Sequence, residues 1–268
     1  MAMTVQQIHP VAHLPLVLGV LRRLEVATVI DRLIPPHPAH QLSCGRGVEA
    51  LVLAILDGHH ALYKVGKRLE ERGMLALLQP GLTRAALNDY RLGHILEALF
   101  AANLNKVYSA VALNALEVYA ITTPWLHQDT TTIALYGAYA DEPKTPGAPR
   151  PAYGHSKDGR GDLKQVLLSL GGSGDGGVPV RLGMRDGNRS DSVETPVAIE
   201  ECLALGCEGV RGIVADSKAY SRRTLGLCLE PGLGLIPLVP RTCAVRQELE
   251  AWGQQQAVLP LLVEKPGR

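Results

Sequence analysis

Two aspartates are the residues best placed to do chemistry. Asp129 lies in Trp125-Leu-His-Gln-Asp129-Thr-Thr-Thr and Asp216 in Gly212-Ile-Val-Ala-Asp216-Ser, each at the end of a short apolar run that reads as a strand. Brought side by side by neighbouring strands, two carboxylates form a hard, anionic pocket suited to Mg²⁺ (or Mn²⁺) and to phosphoryl-transfer chemistry. Each acid alone also has a plainer reading, because aspartate commonly ends a strand and caps the helix that follows. A phosphohydrolase with an aspartyl nucleophile is superficially suggested by Asp129-Thr-Thr-Thr. That chemistry wants a second acid two residues on, where Thr131 stands.

The elements that must position the pair follow Thr123-Pro124, where short runs rich in Val, Ile and Leu, bounded by Gly and Asp, read as buried strands. A strand is expected across Trp125–Tyr136, then a loop Asp141–Gly161 holding four prolines, then strands at Leu163–Leu170 and Val178–Met184. A helix at Ser192–Leu205, a strand at Val210–Ala215, a helix at Ser221–Leu229, a strand at Gly234–Val239 and a helical run around Arg246–Gln256 complete the series. Three meandering strands followed by helix, strand, helix and strand describe a mixed sheet with helices on its faces. Asp129 and Asp216 fall on the first and fourth of those strands. The glycine-rich stretch 171–177 lacks the Gly-Lys-Ser/Thr ending of a phosphate loop and reads as a hairpin turn.

From Val11 to about Ala120 the apolar residues recur at helical spacing. Helices are expected at Leu14–Ile34, Gly47–His60 and Tyr63–Leu78, with a long one from Asn88 to about Tyr119 that braces two domains. The fold class is therefore α+β: a helical N-terminal domain over 1–122, then a mixed α/β domain over 123–268.

The apolar content of 46% and charged content of 20% are those of a packed globular protein rather than a disordered one. No stretch approaches the ~18 unbroken apolar residues of a membrane span, and the N-terminus has no secretory pattern, so a cytoplasmic location is expected. The five cysteines are odd in number and scattered, which points to reduced buried thiols rather than disulfides or zinc. His59-His60, His37 and His40 lack an acidic or thiol partner at metal-binding spacing.

At its acidic residues the chain resembles the DDE transposases of bacterial insertion sequences, in the insertion-sequence-4-like superfamily. The similarity begins with Leu87-Asn-Asp-Tyr-Arg-Leu-Gly-His-Ile-Leu-Glu97 and continues through Leu126-His-Gln-Asp129-Thr-Thr and Tyr136-Gly-Ala-Tyr139. It then takes in Tyr153-Gly-His-Ser-Lys-Asp-Gly-Arg-Gly-Asp-Leu-Lys-Gln165, Asp186-Gly-Asn-Arg-Ser-Asp191 and Ile213-Val-Ala-Asp216-Ser-Lys-Ala-Tyr220. The order and spacing of these strings over roughly residues 10–245 carry the resemblance.

The resemblance implies an RNase H-like domain, in which the first and fourth strands are neighbours, cutting and joining DNA ends with Mg²⁺ or Mn²⁺ held by Asp129 and Asp216. It also implies a homodimer on DNA in the complete enzyme, with the element's terminal repeats and target DNA as partners. In the family a glutamate on a helix beyond the fifth strand completes the triad. Here Glu248, Glu250 and Glu264 lack that context, so the domain is expected to be incomplete at its C-terminus, with reduced or no activity. The alternative is a non-enzymatic DNA-binding or dimerising regulator.

Phosphate contacts are expected from Lys157, Arg160 and Lys164, with His155, between the first two strands, and from Lys218, Arg222 and Arg223 after Asp216. Arg181, Arg185 and Arg189 could join them if they converge on one face; the plainer reading is an ordinary charged surface. Asp186-Gly-Asn188 reads as a turn leading into a helix capped by Ser190 or Asp191. In the helical half Arg22-Arg23, Lys64, Lys67-Arg68 and Arg72 offer basic faces diluted by Glu25, Glu70 and Glu71, and no recognition helix is evident.

Overall fold

The computed structural model describes residues 9–58, 61–139, 145–207 and 209–255. The chain divides into two compact units, Met1–Thr122 with Asp175–Gly183, and Thr123–Gly174 with Met184–Arg268.

The first unit is helical: α1 Leu14–Arg23, α2 Val26–Leu33, α3 Cys44–Leu56, α4 Leu62–Glu71, α5 Leu75–Leu78, a 3₁₀ turn Arg84–Leu87, α6 Asp89–Ala101 and α7 Leu104–Val118. Ser43 starts α3 by accepting a hydrogen bond from Arg46 N at 3.1 Å, and Asn88 starts α6 by accepting one from Arg91 N at 2.8 Å. Their apolar stripes meet in a core that includes Leu14, Leu53, Leu69, Leu92 and Ile95.

Three helices expected to be continuous are broken. Leu14–Ile34 divides into α1 and α2 at Glu25, which adopts a left-handed conformation at φ 51°. Tyr63–Leu78 divides into α4 and α5 at Gly73, φ +67°. The long helix after Asn88 divides into α6 and α7 at Asn103, φ 69°, whose side chain accepts from Asn105 N and Lys106 N. In each case hydrophobic periodicity continues across a residue whose backbone has left the helix, so the apolar pattern survives while the axis turns. No single helix spans Asn88–Tyr119.

After Thr122 the chain forms one five-stranded sheet of β1 Trp125–Leu135, β2 Lys164–Ser173, β3 Pro179–Asp186, β4 Gly212–Ala215 and β5 Gly234–Pro237. Its order is β3-β2-β1-β4-β5, with β1 antiparallel to β2 and parallel to β4, and β4 parallel to β5. This is the RNase H-like order expected, with the first and fourth strands adjacent. Helices α8 Asp191–Ala204 and α9 Arg222–Leu229 connect the later strands, and α10 Ala244–Gln255 follows β5. The glycine-rich stretch is divided: 171–173 finish β2, paired with β1, and the hairpin turn follows, with Gly176 and Gly177 at φ +68° and +61°.

Along β1 the side chains alternate: Leu126, Gln128, Thr130 and Thr132 are buried, while His127, Asp129, Thr131 and Ile133 are exposed. Helix α8 packs on β1 and β2 through a stripe that includes Thr195, Ala198, Ile199 and Cys202. Buried polar groups in this layer are paired, as where Gln128 Nε2 donates to Ser169 Oγ at 3.0 Å.

Candidate active site

The register of β1 and β4 decides how the two acids meet. The parallel pairs run from Trp125 with Gly212 to Gln128 with Ala215. One step further along both strands stand Asp129 and Asp216, so their Cα atoms are separated by about one strand spacing, ~4.8 Å. Both are exposed, and both follow the register positions of His127 and Val214 by two residues, placing them on the same face of the sheet.

Each carboxylate is anchored by one oxygen. Thr130 N donates to Asp129 Oδ1 at 2.7 Å, and Lys218 N donates to Asp216 Oδ1 at 2.9 Å, where Asp216 caps the 3₁₀ turn Ser217–Ala219. The Oδ2 atoms of both residues have no partner among the described residues. The donor set is thus two adjacent hard oxygens, outward-facing and rotationally restrained. That set fits Mg²⁺, which takes one or two protein carboxylates and completes its shell with water and phosphate oxygens. Among the described residues no three His, Cys, Asp or Glu side chains converge as a metal-binding group.

The expected phosphate contacts divide into engaged and open cations. Lys157 Nζ donates to Thr130 Oγ1 at 2.9 Å and to the Thr130 carbonyl, and it lies 3.9 Å from Asp129 Oδ1 and 3.8 Å from Asp191 Oδ2. Arg160 holds Asp162 through two hydrogen bonds of 2.8 and 2.7 Å and lies over the Tyr136 ring. Lys164 Nζ donates to the Tyr139 carbonyl at 2.7 Å. Lys218 and Arg222 are exposed and have no carboxylate partner among the described residues, whereas Arg223 pairs with Glu200 at 2.9 Å.

Arg185 and Arg189 are committed elsewhere. Both bond Glu194, at 3.0 and 2.8 Å, and Arg185 also holds Glu201 at 2.8 Å. The Glu194 side chain is fully buried, so its charge requires such cations and leaves them little freedom to follow a phosphate backbone. In the helical unit Arg68 and Arg72 similarly converge on Asp57 at 2.6 and 2.7 Å. Arg181 is buried.

The loop motifs resolve into a clasp. Asp186 accepts from Arg150 N at 2.9 Å and from its guanidinium at 3.0 and 2.8 Å. The Arg150 backbone hydrogen bond, backed by its guanidinium, holds the Asp186 carboxyl below the usual aspartate range. Ala152 exchanges backbone hydrogen bonds with Gln165, and Gln165 Nε2 donates to the Gly187 carbonyl at 2.9 Å. A methyl group at Gly187 would lie 1.9 Å from Gln165 O, and one at Gly154 would lie 2.2 Å from Gly187 O. These glycines are there for close approach, and the clasp sets the path of the Tyr153–Lys157 loop toward β1.

Residues 6–113 match the domain of unknown function DUF4277. A search of curated proteins returns no match. Among solved structures, the chain is similar to a piggyBac transposase synaptic complex with hairpin DNA at 10% identity and a TM-score of 0.40, over 95% of this chain and 55% of that one. It is similar to the Mos1 transposase in a pre-cleavage transpososome at 9% identity and a TM-score of 0.30, over 82% of this chain and 74% of that one. The chain thus spans about half the length of the piggyBac transposase chain.

Thr130 and Asp191 lie next to Lys157 with no local pattern to mark them. Thr130 Oγ1 donates to Asp191 Oδ1 at 3.0 Å across 61 residues, a separation that leaves no local signal. Of the two expected caps, Ser190 occupies the N-cap position of α8, but its hydroxyl meets that of Ser192 and makes no cap hydrogen bond, while Asp191 is the first helical residue. Glu248 lies exposed on α10 and Glu250 pairs with Arg246 at 2.6 Å; Glu264, His59 and His60 lie outside the described residues, as do 141–144 of the expected proline-rich loop. No helix among the described residues is long and apolar enough to cross a membrane.

Proposed function

We propose that this chain carries the catalytic core of a DDE-type transposase of bacterial insertion-sequence lineage, with Asp129 and Asp216 as metal-binding acids. The observation that carries the reading is the placement of two exposed, singly anchored carboxylates on the same face of adjacent parallel strands. The family strings on which the resemblance rests frame these same two residues. A divalent cation held there would lower the pKa of a water or hydroxyl and offset charge on a phosphate. Asp129 and Asp216 would be the residues that hold it, while Lys218 and Arg222, exposed in the segment after Asp216, would take backbone phosphates.

The test is Mn²⁺ binding together with nicking of supercoiled DNA in Mg²⁺ or Mn²⁺. Asp129→Asn and Asp216→Asn are each expected to reduce both by a factor of about 10² or more. Equal binding and nicking by wild type and both variants would refute the assignment.

A second reading is a DNA-binding or dimerising product without cleavage. It requires DNA binding that Asp129→Asn leaves unchanged and no metal-dependent nicking by the wild type.

A further inference from the structure

We propose that Lys157 is a tethered counter-cation of the acidic site, whose ammonium sets how strongly a divalent ion binds at Asp129 and Asp216. The inference rests on the metal-binding reading of that pair and assigns Lys157 a role other than DNA contact.

Strand β4 ends at Ala215, so beyond that point β1 has no strand partner on the β4 side. The Tyr153–Lys157 loop takes up part of this edge. Lys157 N donates to Thr132 Oγ1 at 3.2 Å, and Lys157 Nζ reaches the carbonyl and hydroxyl of Thr130. The side chain is 32% exposed and so only partly free. Its ammonium stands 3.9 Å from Asp129 Oδ1 and 3.8 Å from Asp191 Oδ2, while Thr130 Oγ1 in turn bonds Asp191. The amine is therefore held by neutral acceptors at a place where two carboxylates attract a cation. A surface lysine on a flexible stem would not be fixed in this way.

A fixed unit charge about 4 Å from the Asp129 carboxylate acts on an incoming divalent ion in two ways. It neutralises part of the attraction, and it repels the ion directly. At a solvent-exposed site this amounts to roughly a tenfold loss of metal affinity. Lys157 thereby keeps the pair weakly loaded, so that strong binding waits for the extra oxygen ligands of a nucleic-acid phosphate.

The experiment is Mn²⁺ titration of the full chain, followed by electron paramagnetic resonance, with circular dichroism melting to verify folding. Lys157→Met is expected to bind Mn²⁺ about tenfold more tightly than wild type. Lys157→Gln, which keeps a polar group for Thr130, is expected to do the same, and it stands in if the methionine variant fails to fold. Lys157→Arg, which keeps the charge, is expected to stay within about twofold of wild type. Unchanged or weaker binding in the neutral variants, with Asp129→Asn still abolishing it, overturns the role of Lys157 and leaves the metal site standing. Binding insensitive to Asp129→Asn and Asp216→Asn overturns the metal reading and this inference with it.

Discussion

Asp186 shows how a motif residue can hold two segments together. Its carboxylate takes three hydrogen bonds from Arg150 and so ties the segment before Tyr153 to the end of β3. Because its folded pKa lies below its ordinary 3.8, Asp186 contributes stability above that value, and the contribution is lost as pH falls through the lower, folded value. Asp186→Asn is therefore expected to lower the melting temperature by about 2–4 °C near neutral pH, for a loss of about 1 kcal/mol. The difference from wild type should shrink as the pH drops below 3.8. A constant difference across that range, followed by calorimetry, would assign the effect to something other than the charge. Asp129 and Asp216 were legible in the sequence because an acid closing an apolar run is a local pattern. The Asp129–Lys157–Thr130–Asp191 group was not, since its members are 27 and 61 residues apart and only the loop path joins them.

At the scale of elements, the strands and their order followed from short apolar runs between Gly and Asp, whereas the helix breaks did not follow from periodicity. Gly73 offered a signal, because glycine adopts positive φ at no steric cost. Glu25 offered none. Asn103 combines a left-handed backbone with a side chain that caps α7. Asn103→Ala removes the cap and forces alanine into positive φ, an expected loss of about 2 kcal/mol; Asn103→Gly keeps the backbone and should lose less. Urea denaturation of the two variants separates these contributions. Close packing gives a sharper case at Gly45 on α3, where an added methyl would meet Ala27 O of α2 at 2.3 Å. Gly45→Ala is expected to cost about 1–3 kcal/mol in the same assay.

Over the whole molecule, charge placement explains more than the net charge of +1 does. Arginines at 68, 72, 185 and 189 are bound to Asp57 and Glu194, and Arg160 to Asp162. In the segment after Asp216, Lys218 and Arg222 are exposed and have no carboxylate partner among the described residues. If these two supply the phosphate contacts of the sheet unit, the plot of log affinity against log salt for duplex DNA should have a slope of about −2. Lys218→Ala should reduce that slope by about 1 while leaving Mn²⁺ affinity at the acids little changed. A steep slope insensitive to Lys218 would move the main DNA contact elsewhere in the chain. The sequence displayed every one of these cations, but not which of them an internal carboxylate had claimed.

The four-residue β4 has one more consequence. Where its pairing with β1 runs out, the sheet opens like a zip left partly undone, and the acids sit just past the last closed tooth. On the metal-binding reading proposed above, an ion would reach the acids past this open end without prising α8 from the other face. Lengthening β4 by one paired residue would draw Asp129 and Asp216 into the ladder, and a second would carry the closure to Thr130, whose carbonyl Lys157 occupies.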